Sequence, residues 1–185
     1  MKSTRLTSRY AKSLLNLSIK QNCLDKTLED MNHIKDICSK NKDLVLLLKS
    51  PVVKTDKKRL ILSNIFSKSV SEITMSFVVI ITNKKREMYL QGIAESFISL
   101  YKNYSNIETV TITTPHPLEE KTKIEVLDFV KKNGKKNIEM KELINEELIG
   151  GMIIKIGDKE LDASILRNIK NLKKSFNKNL YVQDF

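Results

Sequence analysis

A chain of 185 residues with 41% hydrophobic and 30% charged residues, but only 3 prolines and 5 glycines, has the composition of a helix-rich globular protein and not of a disordered one. Its length suffices for one sizeable core or two small ones and leaves little room for a third domain. The formal net charge is +11, with 19 basic and 9 acidic residues up to Asn106 against 14 and 13 beyond it. That imbalance raises nucleic-acid binding as a reading, yet the basic residues are scattered, and only Lys57-Lys58-Arg59 and Lys84-Lys85-Arg86 form tight groups.

Cys23 and Cys38 fall in neighbouring helical segments without CxxC spacing, which marks them as thiols and not as zinc ligands or a disulfide framework, and suits a reducing compartment. Lys2, Arg5, Arg9 and Lys12 run through the first apolar stretch, unlike a secretory signal. The longest apolar runs, Leu44 to Leu48 and Phe77 to Ile81, are far short of the roughly 20 residues that span a bilayer. Membrane association, if any, is expected to be indirect.

From Thr4 to about Gln21, Leu6, Tyr10, Leu14 and Leu17 recur at intervals of three and four, which predicts a helix, and Ala11, Leu15 and Ile19 give it a second apolar flank. A second helix is predicted over Asp25 to Ser39 and a short third over Asp43 to Lys49, broken at Ser50-Pro51. Thr55 and Ser71 are candidate N-caps for a fourth helix, through Leu60, Leu62 and Phe66, and a fifth, Glu72 to Thr82, apolar around most of its circumference. A sixth runs from about Glu87 to Lys102. Six short helices with short connections predict a bundle over residues 1–106.

After Asn106 the period changes from helical to alternating, with Val110 and Ile112 on one face and Thr109, Thr111 and Thr113 on the other. A helix over Glu119 to Lys132 and a strand over Ile138 to Leu143 follow. Met152 to Ile156 then predicts a strand turned at Gly157-Asp158 into a short partner, Lys159 to Leu161. Asp162 occupies an expected N-cap position before a last helix striped by Ile165, Ile169, Leu172 and Phe176. Residues 107–185 therefore read as a small α+β domain with a mixed sheet, and the fold class of the whole chain as α+β.

Catalytic constellations are missing. Only His33 and His116 could serve as a base beside a nucleophile, and neither lies in a recognisable setting. There is no GxxxxGK[ST] or GxGxxG segment, so neither nucleotide nor another cofactor is expected. The adjacent acids Glu119-Glu120 and Glu146-Glu147 read as solvated surface.

Several stretches together resemble one family, the delta subunit of bacterial F-type ATP synthases, known in mitochondria as the oligomycin-sensitivity-conferring protein. RYAKSLL at Arg9 to Leu15 resembles its opening helix, LLLKSPVV at Leu46 to Val53 its short helix and proline turn, and NKKRE at Asn83 to Glu87 the turn into its sixth helix. ELIGGMIIKIGDKELDASI, Glu147 to Ile165, carries the most specific likeness, with paired glycines, an apolar strand, a Gly-Asp turn and Asp-x-Ser before the last helix.

The resemblance implies a non-catalytic stator protein that links the catalytic head to the peripheral stalk at the cytoplasmic face of the bacterial inner membrane. It implies that the bundle binds the N-terminal segment of an alpha subunit in a groove between the first and fifth helices, lined by Tyr10, Ser13, Leu14, Leu17, Phe77, Val78 and Ile81, with basic side chains around the rim. For the C-terminal end of the b-subunit stalk it points to Ile165, Ile169, Leu172, Phe176, Leu180, Tyr181 and Phe185. Gly150, Gly151, Gly157 and Asp162 are expected to shape the second domain without chemistry of their own. No nucleic-acid partner is implied; the alternative reading is a basic RNA-binding or ribosome-associated protein.

Overall fold

The computed structural model describes residues 4–118, 120–133, 137–157 and 159–177, and the chain divides into two compact units between Tyr104 and Ser105. Helices α1 (Thr4–Lys20), α2 (Leu24–Lys40), α3 (Lys42–Lys49), α4 (Thr55–Phe66), α5 (Glu72–Asn83) and α6 (Leu90–Tyr104) build the first unit, with a 3-10 turn, Glu87–Tyr89, leading into α6. One core gathers the inward stripes: Ala11, Leu14 and Leu15 of α1, Met31 and Ile34 of α2, Leu62 and Phe66 of α4, Val78 and Ile81 of α5, and Leu90, Ile93 and Phe97 of α6.

Two buried polar devices lock these helices in register. Lys58, on α4, is only 5% exposed, and its Nζ donates at 2.7 Å to Glu87 Oε1 and at 2.8 Å to the carbonyl of Leu48 at the end of α3. One ammonium thus joins α3, α4 and the 3-10 turn. Asp30, buried on α2, accepts from the Ser71 amide at 2.9 Å, from Thr74 Oγ1 at 2.7 Å and from Ser71 Oγ, so α2 closes the N-terminus of α5. Ser71 does hold the N-cap position, but its own side chain makes no capping bond; the cap comes from Asp30. Thr55 is the first residue of α4 and not its cap, which is Lys54, again without a side-chain capping bond.

In the second unit β1 (Ile107–Thr114) pairs in parallel with β2 (Asn137–Ile144), across the helix α7 (Glu120–Asn133). On its other edge β1 pairs antiparallel with β3 (Ile153–Ile156), which pairs antiparallel with β4 (Lys159–Asp162), giving a mixed sheet of order β2-β1-β3-β4. Val110, Ile112 and Ile154 of the sheet meet Val126 and Val130 of α7 in a small core. Lys123 Nζ adds a tie from α7 to β2, 2.9 Å from Glu142 Oε1.

Gly151 has φ +80, and a Cβ there would lie 2.4 Å from the Ala163 carbonyl, so the approach of this segment to the start of α8 (Ile165–Asn177) requires glycine. At Gly150 a Cβ would meet Ile165 Cδ1 at 2.6 Å. Gly157, at φ +55, takes the left-handed turn between β3 and β4; Asp158 lies outside the described residues, as does Gly134.

Asp162 is the last residue of β4 and does not cap α8 directly. Ser164 does: its Oγ accepts from the Arg167 amide at 3.2 Å, while Asp162 Oδ1 accepts from the Ser164 amide at 2.9 Å. The Ser164 hydroxyl and amide hold the Asp162 carboxyl below its ordinary value.

Two measurements follow from these contacts. Glu87→Ala strands a buried ammonium and is expected to cost about 3–5 kcal/mol in urea unfolding, whereas Lys58→Met combined with Glu87→Leu restores most of that loss. A pair that merely decorates the surface would show neither effect. For Asp162, whose folded pKa is depressed, the contribution is present above the ordinary carboxylate range and is lost as pH falls through the lower folded value. Asp162→Asn should therefore flatten the acid limb of the second unit's melting curve; an unchanged acid limb would remove Asp162 from the account.

Candidate functional site

Helix α5 carries two apolar faces. Thr74, Val78, Ile81 and Thr82 turn into the core, whereas Ile73, Ser76 and Ile80 recur at three and four residue intervals on the opposite side, with Phe77 between the two. Leu17, near the end of α1, presents its side chain to the same outer side. Together with Gln21 and Glu72 these residues line a groove of about 300 Å³, in which Leu17 is 41% and Ile80 53% exposed. The floor is apolar, and the polar groups at its margin are Gln21, Glu72 and Ser76.

Of the seven residues expected to line a groove between α1 and α5, Leu17 and Phe77 do so. Tyr10 and Ser13 precede Leu17 by seven and four positions on the same α1 face, Tyr10 packed against the core and Ser13 exposed. Leu14, Val78 and Ile81 are enclosed in the core and present no surface. Ile73 and Ile80 were missed, although their spacing from Phe77 already places them on one helix face. The expected basic rim is also displaced: Arg5, Arg9 and Lys12 gather with Ser8 on another stretch of α1, and no lysine or arginine lines the groove.

A second uncovered apolar surface lies on α8. Ile165, Ile169, Leu172 and Phe176 recur down one face, and all four are exposed, Phe176 by 84%. Among the described residues of the second unit nothing covers this stripe. Leu180, Tyr181 and Phe185 lie outside the described residues.

Neither surface is equipped for bond-making chemistry. His33 and His116 are both exposed, and among the described residues no group of three His, Cys, Asp or Glu could hold a metal ion. Burial pushes the Cys38 thiol up to about 11, which makes it a poor nucleophile at neutral pH. No described helix is long and apolar enough to cross a membrane.

Comparison with known proteins agrees along nearly the whole chain. The family model described as ATP synthase delta (OSCP) subunit matches residues 6–176. A protein named ATP synthase subunit delta from Cytophaga hutchinsonii is 33% identical, covering 95% of this chain and 96% of its own. Proteins of the same name from Christiangramia forsetii, 32% identical with 98% of both chains covered, and Chlorobaculum tepidum, 33% identical with 95% and 97% covered, are similar to the same degree. Among solved structures, a chain in the mitochondrial ATP synthase hexamer of Toxoplasma gondii shares the fold, with a TM-score of 0.71 over 92% of this chain and 97% of that one at 19% identity. The family model over residues 6–176, with relatives 32–33% identical over nearly the whole of both chains, identifies the chain as a member of the ATP synthase delta (OSCP) subunit family, non-catalytic components of the peripheral stalk.

Proposed function

We propose that the two units divide the stator's work: the first, read as a six-helix bundle, holds the catalytic head, and the second holds the stalk, at the cytoplasmic face of the bacterial inner membrane. The observation that carries this reading is the apolar groove between α1 and α5. A groove floored by Leu17, Ile73, Phe77 and Ile80 suits the apolar face of an amphipathic helix, whose anchors repeat at the same three and four residue intervals. The occupant proposed is the N-terminal segment of an alpha subunit. Leu14, Val78 and Ile81 then act from behind, fixing the angle of α1 and α5 and so the width of the groove.

The α8 stripe is the proposed seat of the C-terminal end of the b-subunit stalk, another helix-to-helix contact. Burying a side chain such as Leu172 or Phe176 contributes roughly 1.5–3 kcal/mol when complete. Such contacts resist rotational load without any reaction taking place. The family assignment gives the excess basic charge no RNA-binding role to perform.

Titration against a labelled peptide from the N-terminus of the cognate alpha subunit tests the groove. Leu17→Asp and Ile80→Asp, both at exposed positions and each checked for an unchanged helical spectrum, are expected to weaken binding about tenfold or more. Unaltered affinity in both variants, or displacement of the peptide by an oligonucleotide, would sink the assignment. Ile169→Asp with Leu172→Asp should weaken capture of a fragment from the C-terminal end of the b-type stalk protein by about tenfold or more and leave the alpha peptide unaffected. Loss of both activities together would mean that the two faces do not act separately.

A further inference from the structure

Helix α5 carries a single charged side chain, Glu72, in its first turn, and Lys84 follows at its C-cap position. The Lys84 amide still donates to the Ile80 carbonyl at 3.0 Å, so the helical path continues through it. Positions four apart share a helix face. Glu72, Ser76, Ile80 and Lys84 therefore succeed one another along the outer side of α5, with Ile73 and Phe77 beside them. An acid lines the groove at one end, and a base stands one turn beyond its lining at the other.

Both side chains are exposed, and among the described residues neither is held in an ion pair. Twelve positions separate them, which at about 1.5 Å of rise each is roughly 18 Å along the axis. That is about twice the screening length of about 8 Å at physiological salt, so each end of the groove acts locally. The first unit as a whole, with 19 basic and 9 acidic residues up to Asn106, attracts acidic segments at long range whatever the order of their charges. Within the groove, Glu72 favours a cation at its own end alone. Complementing the α5 dipole requires these charges at the two helix ends, but not on the face that borders the groove.

We infer that the groove reads the charge order of its occupant. A helical segment lying along α5 is held in one direction, with a basic side chain against Glu72 and an acidic one against Lys84, about three turns apart. This rests on the reading of the groove as the seat of the alpha-subunit segment, and it adds what orients that segment. The apolar floor cannot do so, because hydrophobic burial has no direction. Reversing the helix sets like charges face to face at both ends.

Double-mutant cycles between the full chain and the labelled peptide from the N-terminus of the cognate alpha subunit measure this. On the chain the substitutions are Glu72→Gln and Lys84→Gln; on the peptide, each basic and each acidic residue is replaced in turn by glutamine. Each chain substitution is expected to weaken binding about two- to fivefold, the range of a solvent-accessible ion pair. One basic peptide residue should lose its effect in Glu72→Gln and one acidic residue in Lys84→Gln, the two lying about three helical turns apart. Charges that only steady α5 would shift the unfolding midpoint and couple to no peptide residue. Absence of coupling at either end, in a chain whose peptide binding Leu17→Asp abolishes, overturns the charge order and spares the groove. Peptide binding that Leu17→Asp and Ile80→Asp both leave intact overturns the two together.

Discussion

A lysine ammonium 5% exposed within a helical unit is the constraint around which the first half of the molecule is arranged. Desolvating that charge costs several kcal/mol unless its donors are met. Lys58 meets the demand with the carbonyl that ends α3 and the carboxylate that opens the 3-10 turn before α6. Because a short helix such as α3, with eight residues, has little stability of its own, its position depends on this contact as much as on Leu44 and Leu48. Moving Lys58 would move three elements at once. A hydrophobic residue of similar volume could hold the same space, but it would impose no direction on the three elements; the ion pair does.

Asp30 works in the same manner at the other side of the core. An α5 so rich in Ile, Val and Phe would bury itself in several rotations about its axis with similar gain, since apolar burial is not directional. Three hydrogen bonds from its first turn to Asp30 select one rotation. That choice decides which apolar residues face inward and which remain for the groove. Val78 and Ile81 go to the core, Ile73 is half-buried at its edge and Ile80 is left outside, because the start of the helix is pinned to α2.

This explains what could be read from the chain and what could not. The helices of the first unit and the change to alternation at Ile107 follow from periodicity, which is local, and their bounds emerge close to expectation. Lys58 and Asp30 were invisible because their partners lie 29 and up to 44 residues away. A charged residue beside an apolar stripe reads as solvated surface until those partners are found. The same gap separates Leu14, Val78 and Ile81 from the groove: composition marks α5 as apolar all round, but only its rotation assigns residues to the two sides. At the start of α8 the confusion was between two short polar residues in Asp-x-Ser. Asp162 orients Ser164, and Ser164 caps the helix.

The second unit poses the opposite problem. Among the described residues, Val110, Ile112, Val126, Val130 and Ile154 form its buried core, while Ile165, Ile169, Leu172 and Phe176 stand in solvent along α8. A helix with one apolar and one polar face gains little from folding while the apolar face stays wet, because helical stability in proteins comes mainly from packing that face. Its start is nevertheless held firmly, by the Ser164 cap, by the Ile165 amide donating to the Gly150 carbonyl, and by the close approach at Gly151. Rigid anchorage at one end with an unburied stripe beyond it is the arrangement expected of a helix whose remaining core is supplied by another chain. On the proposed assignment, the stalk completes the hydrophobic contact that the second unit leaves open.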